Sequence, residues 1–136
     1  MKKILKTSIC IIALLLFVTG CAEKTPNISL IEDESYFDEF YVENDRVVLM
    51  CKIALKSTYK NVKTVNIYAY SPKDVEGGLL VSDKLLGYNS ALNNSDFIIS
   101  AGESRQFEIY FVGEFGGRMV KENRLLPEKI EFVVVD

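Results

Sequence analysis

Histidine and tryptophan are both absent from this chain of 136 residues. Histidine is the commonest general base, the usual partner of a nucleophilic serine or cysteine, and the commonest transition-metal ligand. Its absence argues against triad hydrolases and most transition-metal enzymes. The 19 acidic residues offer many carboxylate pairs and single out none. The sequence therefore predicts no catalytic residue, no metal site and no cofactor.

Long apolar runs are also scarce, and the one near the N-terminus is short. It extends from Ile9 to Val18 and follows Lys2, Lys3 and Lys6. A helix of that length measures roughly 15 Å, half the thickness of a hydrocarbon core of about 30 Å. A basic start followed by a short apolar run is typical of a secretory signal peptide, which we assign to residues 1–20.

The apolar run ends in Val18-Thr19-Gly20-Cys21, which resembles the lipobox of bacterial lipoproteins. The resemblance implies a diacylglyceryl group on the thiol of Cys21 and cleavage between Gly20 and Cys21. Two acyl chains attach a protein stably, at about 0.8 kcal/mol per buried methylene. The implied location is the extracytoplasmic face of the cell membrane. An uncleaved transmembrane helix and an ordinary signal peptide are the alternatives.

Cysteine and positive charge are in short supply beyond the leader. Cys10 leaves with residues 1–20 and Cys21 would carry lipid, so Cys51 alone remains and no internal disulfide is expected. Without the three leader lysines, 13 of the 16 basic residues remain beside 19 acidic residues, which gives the mature chain a net charge of −6. This excess argues against nucleic acid as a partner and disfavours attraction to anionic lipid.

Residues 21–35 are polar and acidic, and we expect a lipidated N-terminus and flexible linker there, although Ile28 to Ile31 could form a short strand. Residues 36–136 are enough for one domain with one core. Residues 71–78 are expected to form a loop and residues 79–86 an extended segment. Alternation with a period of two predicts strands at 46–56, which is the clearest, and at 62–70, 105–112 and 130–134. Cys51 lies on the apolar side of the first of these, so we expect it to be buried and unreactive.

About seven short strands without a convincing amphipathic helix predict an all-β, antiparallel sandwich, with a small β-barrel as the alternative. The turn Ala101-Gly102-Glu103-Ser104, followed by Arg105 to Ile109, resembles the late hairpin of Ig-like domains in bacterial lipoproteins. The resemblance implies an Ig-like sandwich. The missing tryptophan and cysteine pair exclude the antibody-type core.

Three surface features are candidate sites. The acidic-aromatic stretch 32–45 has the oxygen ligands that calcium prefers, but its spacing is not that of an EF-hand, and we favour a tether leading into an edge strand. In the Gly-rich loop after residue 112, Phe115, Arg118 and Met119 have the composition of a binding hot spot. The alternative is that Phe115 folds back onto the core. Four tyrosines with outward or loop positions suggest an aromatic face: Tyr68, Tyr70, Tyr88 and Tyr110.

These features predict a non-catalytic, lipid-anchored binding or accessory module of the bacterial envelope. Its partners would be the membrane, through the anchor, and an envelope protein or surface ligand. The alternative is a small inhibitor or immunity lipoprotein that acts on an envelope enzyme, a toxin or a phage component.

Overall fold

The computed structural model describes residues 27–120 and 124–135, which form eight antiparallel strands and very little helix. The strands are β1 (Ile28–Leu30), β2 (Tyr36–Glu43), β3 (Arg46–Ser57), β4 (Lys63–Tyr70), β5 (Lys84–Tyr88), β6 (Phe97–Ile99), β7 (Ser104–Glu114) and β8 (Lys129–Val134). A 3-10 turn occupies Glu32–Glu34, and a single-turn helix, α1, occupies Pro72–Glu76.

The longest strand, β3, organises one half of the sheet. β7 pairs with it along residues 46–56, so β1 and β2 share its other edge. A two-residue turn joins β2 to β3, and its residues Asn44 and Asp45 have φ values of 52° and 61°. Positive φ at both positions is the type I′ geometry that matches the twist of a hairpin, and Asn and Asp tolerate it well.

In the other half, β4 pairs with β8 along one edge and with β5 and β6 along the other. The two halves are joined where β5 also pairs with β7, from Leu86 to Tyr88. At the opposite side β1 and β8 come close together. The result is one antiparallel sheet folded over a shared core and nearly closed into a barrel. The all-β antiparallel prediction is confirmed, and the barrel alternative fits as well.

The predicted alternation is confirmed in the long strands. The apolar side of β3 is buried from Val47 to Leu55, and Cys51 on that side is fully buried. Ile109 and Phe111 of β7 are buried while Gln106 and Glu108 are exposed. Burial of these side chains is the main stabilising contribution, at roughly 25 cal/mol per Å² of apolar surface.

Four local expectations differ from the structure. Residues 28–35, which we assigned to the linker while we kept a short strand open at Ile28 to Ile31, do contain that strand and belong to the domain, because β1 pairs with β3 and Ser35 is buried. The hydroxyl of Ser35 accepts the N–H of Ala54 at 2.8 Å, which attaches this segment to the sheet. Residues 71–78 are not simply a loop, since Pro72 is well placed to begin the short helix α1. The extended segment expected at 79–86 is a strand only from Lys84 onward.

The fourth difference concerns the turn at 100–103. It does not form a hairpin, because β6 pairs with β4 while β7 pairs with β3 and β5. The turn instead connects the two halves of the sheet. The acidic-aromatic stretch contributes β2, whose one strand partner in the described residues is β3, so it is an edge strand as expected.

The leader, the lipobox Val18–Cys21 and lipidation at Cys21 lie outside the described residues and stay predictions. Among residues 27–120 and 124–135, none of the helices has the length and apolar character needed to span a bilayer.

Candidate functional site

A pocket of about 310 Å³ opens beside β2, where the chain approaches β8. Phe37, Leu49 and Leu126 contribute apolar walls, and Leu125, which is 87 % exposed, stands at the mouth. Ser71 and residues 73–74 complete the lining from the end of β4. The pocket thus lies at the end of the domain where β4 ends and β8 begins.

A buried ion pair crosses this pocket between Asp74 and Arg124, whose side chains are 9 % and 11 % exposed. The same carboxylate oxygen also accepts a hydrogen bond from the hydroxyl of Ser71. Asp74 lies in helix α1, and its backbone carbonyl accepts hydrogen bonds from the N–H groups of Leu79 and Leu80, just after the helix, at 2.9 and 3.1 Å. The backbone of Asp74 is thus held in place, and its carboxylate pairs with a cation 50 residues further along the chain.

Two aromatic rings lie against the guanidinium of Arg124. The centroid of Phe40 is 5.0 Å from it and that of Phe37 is 5.8 Å from it. Residues 37 and 40 have opposite parity in a regular strand, but a bulge at Asp38 lets both rings pack against the core. The Nε of Arg124 is buried without a hydrogen-bond partner among the described residues. The pocket thus has apolar walls beside a paired guanidinium, whose Nε is itself closed off from solvent.

A second ion pair lies at the rim of the pocket. Lys73 Nζ is 3.9 Å from a carboxylate oxygen of Glu128, and both side chains are well exposed. Rim charges of this kind contribute little to stability, but they give the mouth a polar edge. Apolar walls beside a buried ion pair and a hydroxyl, with a polar rim, suit a small ligand or a short peptide segment that has both apolar and polar groups.

The predicted binding loop is partly folded onto the domain. Phe115 is half-buried and packs against the core, so its folding back, the alternative that we kept open, is what the structure shows. Its N–H donates to the carbonyl of Asp45 at 2.9 Å, and the N–H of Arg118 donates to Gly78 at 3.1 Å. The side chains of Arg118 and Met119 are exposed, so two of the three predicted residues remain available at the surface.

The four tyrosines of the expected aromatic face are all half-buried. Tyr68 and Tyr70 are half-buried on the outer side of β4, and the Nζ of Lys84 lies 4.4 Å from the Tyr68 ring centroid. Tyr110 faces Tyr88 across β5 and β7 and donates its hydroxyl to Glu108 at 2.5 Å. This hydrogen bond raises the pKa of Tyr110 to about 12.

The carboxylate of Glu108 is itself occupied. It accepts a hydrogen bond from Lys52 Nζ at 2.6 Å, and this contact lowers the pKa of Glu108 and raises that of Lys52. The polar groups beside Tyr110 are therefore already hydrogen-bonded to one another. The outer face is a packed surface with its charges paired, whereas the pocket keeps open volume.

Cys51 has the environment of a structural residue. It is fully buried, and burial raises the pKa of its thiol from 9.0 to about 12, an effect that Arg124 only partly opposes. A thiolate is the reactive form of cysteine, and this setting suppresses it. Within residues 27–120 and 124–135, His, Cys, Asp and Glu side chains form no group of three or more that could hold a metal ion.

The sequence did not single out Ser71, Asp74 and Arg124, because each belongs to a polar segment that resembles an ordinary loop. The signal for Asp74 was its place in the first turn of a helix that begins at Pro72. Arg124 carried no local signal, since its partner is 50 residues away. Compared with known proteins, the chain matches no family model, no curated protein and no solved structure.

Proposed function

We propose that this protein is a lipid-anchored, non-catalytic binding module on the extracytoplasmic face of a bacterial cell membrane. The observation that carries the proposal is the arrangement of the two ends of the domain. The pocket lies where β4 ends, whereas Asn27, from which the chain leads back to Cys21, is hydrogen-bonded to Thr58 just before β4 begins. An anchor at Cys21 would leave the pocket at the far end of the domain.

A binding role suits the chemistry of the described residues better than catalysis. The thiol of Cys51 is buried, the Asp74 carboxylate is paired with Arg124, and the chain has no histidine to act as a base. The pocket is at the small end of the range for ligand sites, about 300–1,000 Å³, so it suits a few side chains of a protein partner or a small surface ligand. Membrane attachment would raise the local concentration of the module near its partner, so even a weak interface would suffice.

The anchor is tested by Cys21→Ser in the native host. Wild-type protein should take up a labelled fatty acid and sediment with membranes, and the variant should lose both properties, because it lacks the sulfur that accepts the diacylglyceryl group. A wild-type chain without label, or a variant that still carries it, would contradict the anchor.

The binding role is tested by photo-crosslinking on intact cells, with a photoreactive residue in place of Leu125 at the pocket mouth. The matched control carries the same residue in place of Ala101, which is also exposed but belongs to the opposite end. We expect Leu125 to capture a defined neighbour that Ala101 does not. Identical capture patterns would argue against the pocket, and loss of the captured protein's activity on binding would identify the inhibitor or immunity role.

A further inference from the structure

The end of the domain opposite the pocket is made of two turns that are hydrogen-bonded to each other and to Asn27. The N–H of Thr58 donates to the carbonyl of Asn27 at 2.8 Å, and the N–H of Gly102 donates to the carbonyl of Tyr59 at 3.1 Å. We call this surface the anchor end and define it as Asn27, residues 56–63, residues 98–105 and Val135. Because Asn27 is hydrogen-bonded here, the segment that leads back to Cys21 leaves the domain from this surface.

Exposed apolar side chains are concentrated at the anchor end. Ile98 of β6 faces Thr64 from one side, and Val135 follows β8 on the other side, where its N–H donates to the carbonyl of Thr64 at 2.9 Å. Val62 precedes Thr64 by two residues and so has the same parity. Their exposed fractions are 54 % for Val62, 57 % for Ile98 and 48 % for Val135. Three branched aliphatic side chains around one strand end form a patch rather than scattered exposure.

Basic side chains outnumber acidic ones in the two segments of the anchor end, although the domain as a whole is acidic. The two segments of the anchor end contain four cations and a single carboxylate, that of Glu103. Glu103 lies 4.0 Å from Arg105, whose guanidinium also reaches the carbonyl of Ile98 at 3.5 Å. The net charge of these two segments is therefore opposite in sign to that of the mature chain. Their cations are Lys56, Lys60, Lys63 and Arg105.

The distance to the predicted anchor limits where this surface can be. Residues 22–26 separate Cys21 from Asn27, and a peptide of that length spans at most about 22 Å even when fully extended. A lipidated Cys21 at the bilayer surface thus keeps Asn27 within that distance of the headgroups. Apolar side chains together with Lys and Arg are the composition that favours the interface of a bilayer with anionic lipid.

We infer that the anchor end is a second, non-covalent membrane contact: Val62, Ile98 and Val135 enter the interfacial region of the bilayer, and the cations of the anchor end bind anionic headgroups. The inference rests on the proposed lipid anchor. It assigns the domain a fixed orientation in which the strands rise from the membrane and the pocket faces away from it. The lipid supplies attachment, and this surface supplies orientation.

The test places an environment-sensitive fluorophore on the mature, lipidated chain through Val62→Cys, in vesicles of equal parts phosphatidylglycerol and phosphatidylcholine. The matched control is Val81→Cys, which is the same residue type with 55 % exposure but lies near Glu114, at the other end of the domain. Cys51 is buried, so it does not compete for the label. We expect a blue-shifted emission and several-fold stronger quenching by lipid-borne quenchers at position 62 than at position 81.

Two further measurements separate the possible failures. Flotation with the vesicles reports the anchor, so co-flotation with equal, water-like signals at positions 62 and 81 would overturn the membrane contact alone. Failure to float would overturn the anchor and the inference with it. Lys60→Glu combined with Lys63→Glu should weaken quenching at position 62 without loss of flotation. Unchanged quenching in this variant, or equal quenching in pure phosphatidylcholine, would contradict the role of the cations.

Discussion

The buried ion pair between Asp74 and Arg124 gives the sharpest test of how the pocket is held together. Asp74→Asn removes the negative charge while it preserves the size of the side chain and an oxygen that can accept from Ser71. The guanidinium of Arg124 then remains desolvated beside Phe40 without a compensating charge. We expect the variant to fold but to be less stable than the wild type.

The size of this loss follows from the burial of the pair. Breaking a fully buried ion pair by removing one partner costs about 3–5 kcal/mol, whereas an exposed pair is worth about 0–1 kcal/mol. Asp74 and Arg124 retain about a tenth of their exposure and border an open pocket, and Asn still offers a neutral acceptor. The expected cost is therefore about 2 kcal/mol, between the two limits.

The measurement is urea unfolding, followed by tyrosine fluorescence and far-ultraviolet circular dichroism, since the chain has seven tyrosines and no tryptophan. A loss of about 2 kcal/mol corresponds to a decrease of about 1–2 M in the unfolding midpoint. The matched control is Lys73→Met, which breaks the exposed pair with Glu128 at the same mouth and should cost about 0.5 kcal/mol or less. Equal stability of Asp74→Asn and Lys73→Met would refute a structural role for the buried pair.

Two other substitutions test the core. Gly87→Ala places a Cβ within 2.6 Å of Ile109 and 2.9 Å of the carbonyl of Ile67, so it should cost about 1–3 kcal/mol in urea unfolding, whereas Gly77→Ala makes only ordinary contacts and should be tolerated. A tolerated Gly87→Ala would mean that β5 has room to move. Cys51→Ser should cost about 1–3 kcal/mol, because it buries a hydroxyl without a designed partner. Because burial raises the pKa of Cys51 from 9.0 to about 12, the contribution of the buried thiol to folding stability is present below pH 9 and is lost as the pH rises toward 12. At pH 9 the native protein should therefore resist a thiol reagent that modifies the unfolded chain. Full modification of the native protein would show that the thiol is accessible.

The long strands could be predicted from the sequence because one face of each is more deeply buried than the other, although Val48 and Ala54 on the second face of β3 are buried too. β3 and β7 have 12 and 11 residues, so the alternation of apolar and polar side chains repeats often enough in each to indicate a strand without knowledge of its partner. Short elements lack that redundancy. β1 has three residues, and its membership in the sheet depends on pairing with Leu55 to Ser57, far along the chain. The acidic residues that follow it resembled a linker, although the hydroxyl of Ser35 holds this segment against Ala54.

The pocket could not be predicted in the same way, because its chemistry comes from pairing across the fold. Phe37 and Phe40 have opposite parity, and their shared orientation depends on the bulge at Asp38, which no local pattern announces. Asp74 follows β4 and Arg124 precedes β8, so the pairing of these two strands brings them together. The binding loop was partly foreseen for a different reason: its composition indicated exposure for Arg118 and Met119, but the bridge between Leu80 and Phe115 turns the aromatic residue inward.

The pairing of β4 with β8 links the two proposed surfaces. β4 begins beside Val62 at the anchor end and ends at Tyr70, directly before the segment that carries Asp74. β8 runs antiparallel to it, from the pocket side back to Val135. Each strand therefore has one end at the proposed membrane contact and the other at the pocket. Because a strand rises about 3.3 Å per residue, the two ends of β4 lie roughly 23 Å apart, about as far as the fully extended segment from Cys21 to Asn27 would reach. If the anchor end lies on the bilayer, the pocket is held clear of the headgroups by the sheet itself, and a partner would approach it from the aqueous side.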